Sequence, residues 1–175
     1  MAGDLLIRAF SIEDIQSLLT WFPAPEDLAQ WGSPARRFPL DEAQIMTFLT
    51  ETGGDEPKRR MWSGEVDGVF VATATTIIDW HQGVVLLGFI GVSPLTRGRG
   101  LAQPFLRKII DATFIDNRIE RIERNVYTFN RPAIRTYEKL GFVREGIRRS
   151  LARMGTERWD AAHYSLLKAD TPATQ

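Results

Sequence analysis

The sequence predicts an α/β sandwich with a central mixed, mostly antiparallel sheet of about seven strands, flanked on both sides by about four to five helices. Three observations predict it. Short β-prone runs and amphipathic stretches succeed one another along the whole chain. An Asp67-Gly68 pair between two apolar runs marks a tight hairpin, so the early part of the sheet is antiparallel. Later strands are separated by helical stretches, which makes the sheet mixed. With 175 residues, 43% of them hydrophobic, the chain can bury the core of a single domain. That domain is expected over residues 1–170, followed by a disordered tail at 171–175.

In chain order, residues 5–10 alternate as a first strand. Ser11 followed by Asp14 marks a helix start, with Ile12, Ile15, Leu18 and Leu19 as its buried stripe and Pro23 and Pro25 as its stop. Between residues 26 and 40, Trp31 and Phe38 join Trp21 and Phe22 in crowding around prolines and a glycine. Such a segment packs helices over the sheet; on a second reading it walls an acceptor pocket. Asp41 with Gln44 starts another helix, to about residue 50, and residues 53–57 form a flexible loop. Strands at 58–66 and 69–78 make the hairpin, the second β-prone on both faces and therefore central. Residues 79–83 turn the chain into a strand at 84–92. A helix over 100–116 sets Leu101, Phe105, Ile109 and Ala112 on one face, with Pro104 tolerated in its first turn. A strand at 119–128 and a helix from Asn130 to Gly141 follow. Strands at 142–152 and 157–168 then pair across Met154-Gly155-Thr156.

Composition narrows the function. The chain has no cysteine, which excludes a disulfide, a thiolate metal site and a cysteine nucleophile. No metal is expected, because His81 and His163 lack ligand spacing. No basic segment followed by an apolar run opens the chain, and no apolar run reaches membrane-spanning length. The expectation is a cytoplasmic protein with no membrane partner. Zero net charge hides an asymmetry: residues 1–75 hold 6 basic and 12 acidic side chains, and residues 76–175 hold 16 and 10. A basic second half suits a polyanionic ligand and an acidic first half a cationic amine, although most of these charges read as solvated surface. The arginines are dispersed among acids rather than clustered with aromatics, which argues against a nucleic-acid partner.

The most informative stretch is 89–102, Phe-Ile-Gly-Val-Ser-Pro-Leu-Thr-Arg-Gly-Arg-Gly-Leu-Ala. It reads as an apolar strand, a short turn and a glycine-bearing entry into a helix. Free N–H groups of the first turn, the positive end of the helix dipole, Arg97 and Arg99 converge there, an arrangement that suits a phosphate. An ordinary connecting loop has the same ingredients. No Gly-Lys-Ser/Thr follows, as a nucleoside-triphosphate loop requires, and the third glycine of a dinucleotide fingerprint is missing. A second stretch, Asn-Arg-Pro-Ala-Ile-Arg-Thr-Tyr-Glu-Lys-Leu-Gly-Phe over 130–142, has its own physics. Asn130 can cap a helix, Pro132 suits the first turn and Gly141 the residue past its end. Ala133, Tyr137 and Leu140 share a face. Alone, Tyr137 reads as a packing residue whose hydroxyl reaches water.

Together the two stretches carry a resemblance. Arg97, Gly100 and Ala102 in Arg-x-x-Gly-x-Ala spacing resemble the acyl-coenzyme A pyrophosphate loop of the GNAT superfamily of N-acyltransferases. The pattern Asn-x-x-Ala-x-x-x-Tyr-x-x-x-Gly-Phe over 130–142 resembles the superfamily's other motif, in the family's order. The resemblance covers residues 84–168 well and the first third loosely. Gly141, Phe142, Gly146, Arg149, Gly155, Asp160, Tyr164 and Leu166 resemble the branch of ribosomal-protein N-terminal alanine acetyltransferases. Two positions depart from that branch. Val85-Leu86-Leu87-Gly88 stands where it often carries a carboxylate before the strand glycine, and Ala133 stands where it favours serine.

The resemblance implies a GNAT-type sandwich, acetyl-CoA as cosubstrate, an amine acceptor, and room for a homodimer. By position in the motifs, it implies that Arg97, Gly98, Arg99, Gly100, Leu101 and Ala102 hold the pyrophosphate. Ile90, Gly91 and Val92 match the place where a splayed strand offers backbone N–H groups to the tetrahedral oxyanion. Asn130, with Ala133, holds the pantetheine arm or anchors the helix of Tyr137. Tyr137 is the candidate acid, a phenol of pKa ~10 beside a departing thiolate of ~8.5. The amine must attack as the free base, against reference values of ~10.4 for alkylammonium groups and ~8 for peptide α-amines. His81, Glu65 and Asp160 are candidates for taking that proton, and a peptide α-amine needs no dedicated base. The implied function is an N-acetyltransferase. It moves acetyl from acetyl-CoA to a small amine, an antibiotic amine or a peptide N-terminus, by direct attack in a ternary complex. The alternatives are a non-catalytic acyl-CoA sensor of the same fold, and a phosphate- or nucleic-acid-binding module without an acyl donor.

Overall fold

Alternating apolar residues in the first half build an antiparallel meander of β1 (Leu5–Ala9), β2 (Arg59–Val66), β3 (Val69–Asp79) and β4 (Val84–Val92). This is a computed structural model describing residues 4–171; beyond Thr171, the tail expected from the sequence lies outside the described residues. The β2–β3 hairpin closes through Asp67 (φ 51°) and Gly68 (φ 77°), both left-handed, as a two-residue turn of that hand requires. After β4 the chain crosses over through α4 (Ala102–Phe114), so that β5 (Arg121–Tyr127) returns parallel to β4. Helix α5 (Arg131–Lys139) leads into β6 (Val143–Met154) and β7 (Glu157–Leu167), an antiparallel pair whose second strand inserts beside β5. The sheet order is β1-β2-β3-β4-β5-β7-β6. β3 is indeed central, with most of its residues buried.

Each face of the sheet carries its own core. On one, α4 and α5 lay Phe105, Leu106, Ile109, Ile110, Tyr137 and Leu140 against strand residues such as Val85, Leu87, Ile122 and Tyr164. The other is covered by α1 (Ile15–Leu19), α2 (Pro25–Gly32) and α3 (Glu42–Leu49). There Ile15, Leu18, Trp21, Phe22, Leu28, Trp31, Ile45 and Phe48 form a second, aromatic-rich cluster. Sequence and structure differ at the first helix. Its opening turn, Ile12–Asp14, is a 3-10 helix, so the buried stripe starts one turn late. Ile12 is 58% exposed, whereas Asp14 is 4% exposed. The last hairpin is also tighter than expected, with Met154 paired directly to Glu157 across Gly155 and Thr156.

Asp14 is drawn inward by its partners. Both terminal nitrogens of Arg8 donate to its carboxylate at 2.7 Å, the Ser11 N–H donates at 3.0 Å and the Ser63 hydroxyl at 2.7 Å. Burial alone would raise the carboxyl pKa, but the hydrogen bonds from Arg8, Ser11 and Ser63 outweigh it and hold the group below its ordinary value. A depressed native pKa contributes stability at neutral pH that is lost as pH falls through the native value. Asp14→Ala is expected to lower the unfolding free energy by about 2 kcal/mol at neutral pH. Urea unfolding at pH values between about 5 and 2 should show a shallower acid loss in the variant than in the parent.

Candidate active site

The sheet opens between β4 and β5. Their parallel ladder holds for Val84, Val85 and Leu86 against Arg121, Ile122 and Glu123, and stops there. On the other edge of β4, Thr73 pairs with Gly91 and Thr75 with Gly88, so Phe89 and Ile90 together oppose the single residue Ala74. That is a bulge, and Phe89 takes the left-handed φ of 50° within it. Carbonyls left without a strand partner are taken by side chains. Arg124 Nη1 donates to Leu87 O at 3.2 Å, Trp31 Nε1 to Phe89 O at 2.9 Å and Arg97 Nε to Val92 O at 3.2 Å. Gly91 is a close-approach position, because a Cβ there would lie 3.3 Å from Trp31 and 3.4 Å from Trp21.

Beyond β4 the chain enters the glycine loop. Thr96 and Arg97 N–H groups close back on Ser93 O, after which Gly98 (φ 78°) and Gly100 (φ 77°) carry the backbone through left-handed conformations. Open space surrounds the place where a Cβ at either glycine would sit. Leu101 precedes α4 without a side-chain cap, Ala102 is the first helical residue, and Pro104 contributes no N–H. An anion can therefore approach this backbone unobstructed, with the exposed Arg97 and Arg99 beside it.

Helix α5 is fixed at both ends. Asn130 Oδ1 accepts from Ala133 N–H at 3.3 Å, and Gly141 (φ 95°) ends the helix. Its N–H bonds Glu138 O while Phe142 N–H bonds Tyr137 O, the two-bond Schellman closure. Tyr137 is 2% exposed, with its ring edge against Phe142 at a centroid distance of 5.9 Å. The Arg124 guanidinium lies 4.5 Å from the Tyr137 ring centroid. Burial pushes the Tyr137 phenol up and the Arg124 charge pulls it part of the way back. The phenol is accordingly protonated at neutral pH and able to donate.

Two clefts flank the bulge. The larger, about 330 Å³, lies between α2 and the splayed strands, with Trp31, Phe89, Tyr127 and Leu151 as apolar walls and Gln30, Ser33, Asn125 and Asn130 as polar points. The smaller, about 220 Å³, is lined by Ile90, Gly91, Val92, Arg97 and Asn130 together with Phe22, Asp27, Gln30 and Trp31. Ile90, Gly91, Val92, Arg97 and Asn130, singled out from the sequence, thus meet at one place. Trp31 both packs in the core and lines the two clefts.

The expected bases lie elsewhere. Glu65 takes the Arg8 Nε at 2.8 Å, Asp160 accepts from Ser150 N–H at 2.6 Å and His81 is exposed in the β3–β4 turn. His163 Nδ1 is 2.9 Å from Asn125 Oδ1, with Nε2 3.5 Å from both Glu123 and Glu145. Sequence reasoning missed Arg124 and Asp27. Arg124 sits six residues before Asn130 within an apparently ordinary strand, and only the strand's alternation could have turned it toward α5. Asp27 lies in the first turn of α2, a helix the sequence reading did not mark.

Comparisons with known proteins agree with this geometry. The family model described as acetyltransferase (GNAT) family matches residues 18–142. The SPbeta prophage-derived uncharacterized N-acetyltransferase YokL of Bacillus subtilis (strain 168) is 33% identical over 143 residues, covering 82% of this chain and 78% of its own. The uncharacterized N-acetyltransferase p20 of Bacillus licheniformis is 25% identical over 169 residues, 95% of this chain and 94% of its own. Among solved structures, spermidine N-acetyltransferase from Vibrio cholerae in complex with CoA and spermine matches with a TM-score of 0.81 at 18% identity, over 95% of this chain and 96% of that one. Ribosomal-protein-alanine N-acetyltransferase from Brucella melitensis matches with a TM-score of 0.75 at 17% identity, over 93% of this chain and 99% of that one.

Proposed function

Because the chain belongs to the acetyltransferase (GNAT) family, and so is an acetyl-CoA-dependent acyltransferase, we propose that it acetylates a primary amine by direct attack within a ternary complex. The observation that carries this reading is the break between β4 and β5, with an open glycine loop at the end of β4 and Tyr137 beneath Arg124. Neighbours of the fold are named for spermidine and for ribosomal-protein acceptors alike, so the acceptor is read from the clefts of this chain.

The residues fit the donor in their chemistry. The backbone of Gly98, Gly100, Leu101 and Ala102 has room for a pyrophosphate, and Arg97 and Arg99 supply positive charge there. Past the end of the β4–β5 ladder, Ile90 and Val92 alternate with Gly91, which pairs with Thr73 of β3, and so can turn N–H groups toward the acyl oxygen and the pantetheine arm. Asn130 spends its oxygen on Ala133 N–H, which anchors the Tyr137 helix, and its amide N–H groups are left to hold the arm. Acetyl-CoA supplies an activated acyl carbon. As the amine nitrogen bonds to that carbon, the carbon–sulfur bond breaks and the coenzyme leaves as a thiol. Tyr137 donates to the departing sulfur and is restored by the proton that the nitrogen gives up. Its raised pKa keeps that proton in place at neutral pH. Asp27, at the smaller cleft, attracts the ammonium form of the acceptor before its proton leaves to solvent.

Tyr137→Phe is expected to lower kcat by about a hundredfold and to leave the Kd for CoA within about twofold. Steady-state thiol release and calorimetry measure the two quantities, and an unchanged kcat would remove the acid role. Gly100→Glu places a side chain at a left-handed φ and a negative charge where the diphosphate is proposed to sit. Its Kd for CoA should rise by more than about tenfold; unchanged affinity in a folded variant would refute the loop assignment.

A further inference from the structure

Among the described residues lining the larger cleft, Arg124 is the one charged side chain and none is a carboxylate. Its guanidinium is poorly satisfied. Nη1 reaches Leu87 O, while Nε is buried without a hydrogen-bond partner. The carboxylates of Glu123 and Glu145 are taken by Arg121, on the opposite face of β5. Arg124 therefore brings an unpaired positive charge to a cleft otherwise walled by Trp31, Phe89, Tyr127 and Leu151. A polyamine is the wrong occupant, since its second ammonium would meet that charge with no acid to hold it.

On the acetyl-transfer reading above, we propose that the acceptor is a small amine bearing a carboxylate, an amino acid or a short peptide with its C-terminus free, and that Arg124 selects it. The carboxylate meets the guanidinium, whose planar fork matches it. The apolar body lies against Trp31 and Leu151. The amine points into the adjoining cleft, where Asp27 supplies the one carboxylate among the lining residues. The nitrogen forms its bond to the acetyl carbon as the carbon–sulfur bond breaks, sulfur takes the phenol's proton, and the nitrogen's proton returns to the phenol.

The test is thiol release by the full chain with acetyl-CoA across matched acceptors: leucine and phenylalanine, 5-aminopentanoate, leucyl-leucine, the corresponding amides, the decarboxylated amines and spermidine. The expected result is a kcat/KM at least about tenfold higher for the best carboxylate than for its amide and its decarboxylated counterpart, with spermidine lowest. In Arg124→Met that ratio should fall to near one, whatever the absolute rate, and Arg124→Lys should keep part of it. The different carboxylate sources separate by which gives the highest kcat/KM. A wild-type ratio near one, a preference for spermidine, or a ratio unchanged in Arg124→Met would overturn the proposal and leave acetyl transfer standing. Silence toward every amine, with CoA binding intact by calorimetry, would overturn the transfer reading and this proposal with it.

Discussion

Everything in this fold turns on a parallel strand pair that holds for three residue pairs and then lets go. A sheet interrupted in its middle leaves backbone donors and acceptors facing a gap, which folded proteins do not tolerate without substitutes. Here three side chains from three different segments do the substituting. Trp31 from α2 takes the Phe89 carbonyl, Arg124 from β5 takes the Leu87 carbonyl and Arg97 from the loop takes the Val92 carbonyl. The carbonyls are thereby satisfied while the gap stays open as a cleft. The extra residue in β4 and the left-handed Phe89 set where the strands part.

The rest of the molecule holds that gap at a fixed width. Two cores on opposite faces clamp β4, one built from α4 and α5 and the other from the aromatic cluster around α1 to α3. Both ends of α5 are pinned, by the Asn130 cap and the Gly141 closure, so Tyr137 has little freedom to move away from Arg124. On the far side Phe89 meets Trp31 at a centroid distance of 5.2 Å and Phe48 at 5.0 Å. The bulge is thus gripped by rings as well as by a hydrogen bond. A rigid opening of this kind suits chemistry whose catalytic groups act through preorganised dipoles and a positioned proton.

Much of this was legible in the sequence, because local chemistry dictates it. Asp67-Gly68 specified its turn, Asn130 with Gly141 bounded its helix, and the two glycines of residues 98–100 announced a backbone that no side chain covers. The bulge at Phe89 was not legible. It arises from the register of β4 against β3, a relation between distant segments, and phenylalanine carries no signal for a left-handed φ. Arg124 was hidden for the same reason, since its partners Leu87 and Tyr137 lie 37 residues before it and in the following helix. Ile12 was misplaced in the other direction, while the Ser11–Asp14 start held. The spacing of Asp14 from Ser11 signalled a cap, and only Arg8 and Ser63 explain why a carboxylate rather than Ile12 turns inward.

The central proposal is spatial: the gap between β4 and β5 would seat the end of coenzyme A beside the Tyr137 phenol. A crystal structure of the chain with CoA bound tests it directly. The account predicts the diphosphate on the backbone of residues 98–102, the pantetheine arm along Ile90 to Val92, and the sulfur within hydrogen-bond reach of the Tyr137 hydroxyl. Coenzyme lying outside the gap, or a sulfur facing away from that phenol, would contradict it.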